Sequence, residues 1–291
     1  MKVQLEKDTY IVAVSGGVDS VVLLDLLAKQ PGLILIVAHY DHGIRADSSQ
    51  DREFVETLSQ KYNTTFVYDE GRLGSNASEN TARQARYRFL RHCRKKYQAK
   101  AIVTAHHQDD VIETMCINII RGTNRRGLTA LVSREDVRRP LLTYGKDDVL
   151  AYARKHALIW REDSTNANDV YLRNWLRHRV LSKLTTKQRQ IFINAYTKTT
   201  STNKELESIV DLFMGEHDNR LAKKHVIQAD HAVSREIVAH WLRHNGIREF
   251  DQLTLERVVI GAKTLVTGKK IPLKGTSYVV VGARDLTIYK H

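Results

Sequence analysis

The sequence predicts an α/β fold: a Rossmann-like parallel sheet, then a helical connector and a small α+β C-terminal domain. Three observations carry this. Apolar runs at residues 10–14, 34–39, 65–68 and 101–105 each lead into a stretch of helical character, the alternation of a parallel sheet wrapped by helices. The runs at 10–14, 34–39 and 101–105 are apolar on successive rather than alternate residues, as strands buried on both faces are. Past His225 the pattern changes to two helices, at 234–245 and 253–265, and three strand-like runs, at 269–273, 277–281 and 286–289. Gly282-Ala283-Arg284-Asp285 between the last two reads as a hairpin turn. The expected division is a first domain at 1–185, a connector at 186–224 and a second domain at 225–291.

The first strand ends in Ser15-Gly16-Gly17-Val18-Asp19-Ser20, and an apolar helix follows it. A Ser/Gly turn between strand and helix aims backbone N–H groups at one point, and the helix N-terminus adds positive potential. That is a phosphate cradle, although two glycines also suit an ordinary turn. It lacks the Lys-Ser/Thr ending of a Walker loop and is not Gly-x-Gly-x-x-Gly. The strand at 34–39 ends in His39-Tyr40-Asp41-His42-Gly43-Ile44-Arg45, which would face the same crevice or be a solvated loop. A helix at 48–62 leads to the strand at 65–68. The basic helix at 78–96, with Ser78 as N-cap candidate, puts Asn80, Arg83 and Tyr87 on one stripe, either for a ligand or as a solvated face.

The fourth strand runs into His106-His107-Gln108-Asp109-Asp110-Val111-Ile112-Glu113. His106, Asp110 and Glu113 stand at i, i+4 and i+7, which predicts one polar helix face opposite an apolar stripe of Ile112, Met115, Cys116 and Ile119. Acidic groups there either cap the helix or serve chemistry. Next come a basic glycine-bearing loop at 121–128, an extended step at Arg139-Pro140, a helix at 146–156 and a polar loop at 162–169. A helix at 171–180 carries Arg173 and Arg177 on one face. The long helical stretch at 187–214 is expected to break at the Thr-rich residues 197–202.

Lys and Arg number 46 against 33 Asp and Glu, a formal charge of +13. A small-molecule enzyme has no need of that excess; a polyanionic partner does, with solubility as the alternative. No run is long enough to span a bilayer, and the first residues lack a signal-peptide core, so the expected location is the cytoplasm. Cys93 and Cys116 make neither a disulfide framework nor a zinc motif.

The hexapeptide resembles the PP-loop of ATP pyrophosphatases, which split ATP between the α- and β-phosphates. With the stretches 39–45, 82–87, 105–114, 121–128, 139–142 and 163–180, the chain resembles the bacterial tRNA(Ile)-lysidine synthetase family. Trp175 departs from its pattern, where a smaller or aliphatic residue is expected. The resemblance implies ATP and Mg²⁺ as cofactors, and L-lysine and a tRNA(Ile) with CAU anticodon as partners. No membrane is involved, and a homodimer is left open. It implies adenylylation of the wobble cytidine and displacement of AMP by lysine. It assigns Ser15, Gly16, Gly17, Val18, Asp19 and Ser20 to ATP, and His106, Asp110 and Glu113 to the active site. Asp19 and Asp110 are the metal candidates. Asp41, Arg83, Arg86, Arg121, Arg125, Arg173 and Arg177 are the candidate tRNA or substrate contacts. Glu113 is expected to serve lysine, and Asp110 both substrates. A thiolase-type relative would need reactive or cluster-binding cysteines. GMP and NAD synthetases share the loop but have no use for the charge. A tRNA-binding module with an inert nucleotide site is the non-enzymatic alternative.

Overall fold

The computed structural model describes residues 1–43, 48–71, 79–161, 172–214, 219–247 and 250–290. Ser78, Ile44, Arg45 and the polar loop at 162–169 lie outside them. Two compact units result, Met1–Thr199 and Thr200–His291.

In the first unit, β1 (Thr9–Ala13), β2 (Ile34–Asp41), β3 (Thr65–Glu70), β4 (Ala101–Val103) and β5 (Val137–Arg138) form one sheet in the order β3-β2-β1-β4-β5. All pairs are parallel, with Thr9 opposite Ile34 and Tyr10 opposite Ala101. The two residues of β5 are too short to show in the sequence. Alternate residues of β1 feed opposite faces. Val12 joins a core with Leu23, Leu27, Leu141 and Val149, while Ile11 joins one with Tyr87, Leu90, Cys93 and Ile102.

The strand order reverses between β1 and β4, so their carboxyl ends flank the crevice where open α/β sheets bind ligands. Helix α1 (Val18–Ala28) leaves one side of it and α4 (Gln108–Ile120) the other. Nine of the eleven α1 residues are buried, which seats the preceding loop on a fixed element. One of the nine is Asp25, whose carboxylate accepts hydrogen bonds from Lys29 Nζ (2.7 Å), Tyr62 OH (2.8 Å) and Tyr152 OH (2.7 Å). Tyr62 follows α2 (Ser48–Lys61), and α3 (Glu79–Lys96) covers the other sheet face. Then follow α5 (Arg125–Leu128), a 3₁₀ turn at Pro140–Thr143, α6 (Lys146–Lys155), which contains Tyr152, and α7 (Leu172–Arg179).

Helix α8 (Thr186–Met214) runs unbroken through the Thr-rich stretch expected to interrupt it, and the boundary between the units falls within it. Its anchors lie on either side: Phe192, Ile193 and Tyr196 pack into the first unit, Val210 and Met214 into the second. Tertiary packing there overrides poor local propensity.

The second unit has an antiparallel sheet ordered β6-β9-β8-β7, from β6 (Arg220–Ala222), β7 (Lys270–Pro272), β8 (Tyr278–Val281) and β9 (Asp285–Tyr289). Strand β6 is an addition to the sequence reading. The expected hairpin closes with Gly282 N–H donating to Asp285 O at 2.7 Å. Helices α9 (Lys223–Ile227), α10 (His231–His244) and α11 (Gln252–Thr264) cover the sheet around fully buried Trp241. No helix among the described residues is long and apolar enough to cross a membrane.

Candidate active site

The loop after β1 is tied by its own side chains. Ser20 Oγ donates to Gly17 O at 2.8 Å and accepts from Ser15 N at 3.2 Å. Gly16 has φ +93°, which side-chain-bearing residues rarely adopt, and its carbonyl accepts from Arg161 N at 3.0 Å. Gly17 is the extended N-cap of α1. The first N–H groups of a helix have no full intrahelical acceptor and can offer donors to an anion; here those of Ser20 and Val21 reach back to Gly17 O at 3.1 Å each. The Val18 side chain is buried in the core, so only its backbone can serve a ligand.

Across the crevice α4 starts at Gln108, two residues later than the helix face drawn through His106 requires. His107 is the N-cap: its Nδ1 accepts from Asp109 N at 3.2 Å, and its own N–H donates to Asp110 Oδ2 at 2.9 Å. With Nδ1 an acceptor, Nε2 carries the proton, and it sits 3.6 Å from both Asp19 Oδ1 and Asp110 Oδ2. The phosphate loop and α4 therefore meet around one buried imidazole. Burial opposes charging of His107, but Asp110 and Asp19 outweigh it and raise its pKa. Lys146 Nζ, at the start of α6, donates to Asp19 Oδ1 at 2.6 Å. Burial pushes the Asp19 carboxyl up, yet His107 and Lys146 together bring it down to about 2. Asp110 is lowered too, because the His107 ring, the His107 backbone N–H and Arg177 overcome its burial.

His106 lies before the helix, its Nδ1 2.8 Å from Thr104 Oγ1. Burial, opposed by Asp110 and reinforced by Arg139, Arg83 and Arg86, lowers its pKa to about 3, so the ring is neutral. Arg83 and Arg86 lie 4.8 and 5.9 Å from the centroid of buried Tyr87. This basic, aromatic flank borders the His106 side of the crevice.

Glu113 is fully buried. Arg177 grips it with two bonds, Nε to Oε1 at 2.7 Å and Nη2 to Oε2 at 3.1 Å, and Arg173 Nη1 adds one to Oε2 at 3.3 Å. Burial pushes the Glu113 carboxyl up, with the guanidiniums opposing. The same carboxylate holds Arg177 charged against its own burial. Arg177 Nη2 also approaches Asp110 Oδ1 at 3.7 Å.

Other expected residues sit on other elements or at the far end of α4. Arg121 caps the far end of α4, roughly 16 Å along the axis from Asp110 at 1.5 Å per residue, and Arg125 begins α5 beyond it. Asp41 ends β2, where its Oδ1 accepts from Gly43 N at 2.8 Å. The sequence reading passed over His107 and Lys146. His107 was detectable as the residue preceding an acidic first turn with Asp three positions on. Nothing local marks Lys146, which reaches Asp19 only because α6 packs on α1.

The PP-loop domain family model matches residues 1–184. A tRNA(Ile)-lysidine synthase of Thermotoga maritima is 39% identical over 186 residues, 60% of this chain and 45% of that protein. Those of Thermus thermophilus and Lactobacillus gasseri are 40% and 35% identical over 59% and 67% of this chain, and 34% and 48% of theirs. The chain thus spans about half, or less, of the length of these curated relatives. Among solved structures, the U34-tRNA thiolase NcsA of Methanococcus maripaludis, with its [4Fe-4S] cluster, aligns with a TM-score of 0.56 over 67% of this chain and 73% of that one, at 18% identity. That likeness is one of fold.

Proposed function

The chain belongs to the PP-loop family, and from that premise we propose that it forms lysidine on tRNA. The reaction has two steps. The C2 oxygen of the wobble cytidine (position 34) in a CAU-anticodon tRNA(Ile) attacks the α-phosphorus of ATP, and the α–β bond breaks to release pyrophosphate. The lysine ε-amine, having lost a proton, then attacks C2, and the C2–O bond breaks to release AMP. The product reads AUA instead of AUG and is charged with isoleucine instead of methionine. The observation that carries this reading is the meeting of the Ser15–Ser20 loop with Asp110 around His107, in a chain similar to three lysidine synthases.

The loop N–H groups hold the phosphates of ATP. Asp19 and Asp110 fit a magnesium ion: both are oxygen donors held ionised beside the phosphate loop, and magnesium is commonly bound by one or two carboxylates together with substrate phosphates. Bound there, the ion would neutralise charge on the nucleotide. Asp110 keeps part of its surface open, with a side chain 15% exposed, and so is the carboxylate available to an ammonium. Neutral His106 offers the base a hydrogen-bonding partner without adding charge. Arg83, Arg86 and the excess of cations suit tRNA phosphates. Residues 225–291, joined through 186–224, serve to position the tRNA, and the enzyme works in the cytoplasm.

A thiolase reading draws no support from the cysteines. Cys93 is buried and Cys116 half-buried, in separate clusters, and burial pushes both thiols up, away from the reactive thiolate. The test is mass spectrometry of nucleosides from a CAU-anticodon tRNA(Ile) transcript after incubation with ATP and lysine. Lysidine in place of one cytidine supports the proposal; unchanged cytidine with all three substrates present refutes it.

A further inference from the structure

Glu113 shares a helix face with Asp110, which suggests that both receive the substrate ammonium. Their surroundings differ. Asp110 retains exposed surface, whereas Glu113 has none and both its oxygens are bonded to guanidiniums. An ammonium would have to displace a two-point guanidinium fork, a stronger and more directional partner than the single point charge replacing it. Nor is the contact needed as glue. Leu176 of α7 is buried against Ile112, Ile117 and Leu181, so an apolar seam already joins α7 to α4. A buried ion pair is a poor way to strengthen such a seam, because desolvation consumes much of its attraction.

What the pair does achieve is aim. Arg177 spends Nε and Nη2 on Glu113, while Nη1 has no hydrogen-bond partner among the described residues. The side chain is 38% exposed, with Asp110 at 3.7 Å and Asp19 among the charges acting on it. A guanidinium fixed on one edge and open on the other, at the rim of a phosphate site, is arranged to meet phosphate oxygens.

We propose that Glu113 is a positioning residue: its sealed carboxylate holds Arg177 at the crevice, and Arg177, not Glu113, meets the substrate through the phosphates of bound nucleotide. Resting on the lysidine-forming reading for its kinetic arm only, the proposal predicts that Glu113→Gln and Arg177→Gln each slow single-turnover adenylylation of tRNA about 100-fold, the cost of a misplaced group. The double variant is no slower than either single one, as expected for residues acting as a unit. The KM for lysine stays within threefold of wild type.

The second arm needs neither tRNA nor lysine. In the intact chain labelled with ¹⁵N-arginine, the Arg177 Nε–H resonance, identified by its loss in Arg177→Lys, is protected from exchange. It shifts when ATP is added, and in Glu113→Gln it loses both properties. The proposal is overturned if ATP leaves that resonance unmoved in the wild type. It is also overturned if Glu113→Gln adenylylates at the wild-type rate while its lysine KM rises tenfold, or if the two single effects multiply. Absence of any adenylylation would refute the lysidine reading and leave the resonance to decide the role of Glu113.

Discussion

Replacing Asp25 by Asn tests how much the polar knot that ties α1 to Tyr62 and Tyr152 contributes to stability. Asp25 is 3% exposed, and its carboxylate joins α1 to Tyr62 and Tyr152 through phenol bonds of 2.8 and 2.7 Å. The amide keeps the shape, removes the charge and turns one acceptor into a donor. Lys29, half exposed, loses only a solvated i,i+4 partner, worth about 0.3–0.5 kcal/mol. Each phenol loses a charge-assisted bond, and one is left facing a donor, at about 1–1.5 kcal/mol apiece. The expected loss is about 2–3 kcal/mol at pH 7, read as a lowered urea midpoint at unchanged slope.

The pH dependence has a definite sign. Burial pushes the Asp25 carboxyl up, but Lys29, Tyr152 and Tyr62 bring it below its ordinary value. Its contribution is therefore complete above the unfolded pKa of about 3.9 and disappears as pH falls through the lower folded value. Wild type and Asp25→Asn should converge in acid. ATP affinity should change less than threefold, because Asp25 lies almost two turns from the loop. A cost under 0.5 kcal/mol at pH 7, or one that stays constant into acid, would refute the reasoning.

Gly16→Ala should cost about 1–3 kcal/mol and weaken ATP binding, since φ +93° strains any residue with a Cβ. The added atom would lie 3.4 Å from Phe54 Cδ1, so backbone strain rather than collision sets the cost, and a fully stable variant with wild-type ATP affinity would contradict it. tRNA binding should weaken linearly on a plot of log K against log salt, as the +13 charge releases counterions from the RNA. A flat response in a filter-binding titration would mean that the charge serves solubility.

Much of the fold was legible because buried parallel strands write themselves as apolar runs. β1, β2 and β4 could be read this way, and the more exposed β3 from its apolar, β-rich run Thr65–Tyr68; Val137-Arg138 and Arg220–Ala222 are too short to carry a pattern. The Thr-rich middle of α8 misled because its helicity depends on packing at either end, which local propensity does not encode. In the site, the loop and Asp110 were readable from their places after strands. His107 displaced His106 from the helix because the cap lies one residue later, set by the Asp110 bond back to the His107 backbone. The seal over Glu113 was invisible: its partners lie 60 and 64 residues along the chain, and only the folded α4–α7 seam brings them together.

In the proposed reaction this loop holds the departing pyrophosphate of ATP while cytidine is activated. ATP labelled at the α-phosphate, incubated with the chain, CAU-anticodon tRNA(Ile) and Mg²⁺ but no lysine, tests it most directly. The label should move onto the tRNA with pyrophosphate released, and then appear as AMP when lysine is added. Label recovered mainly in ADP, or AMP formed equally well without tRNA, would contradict it.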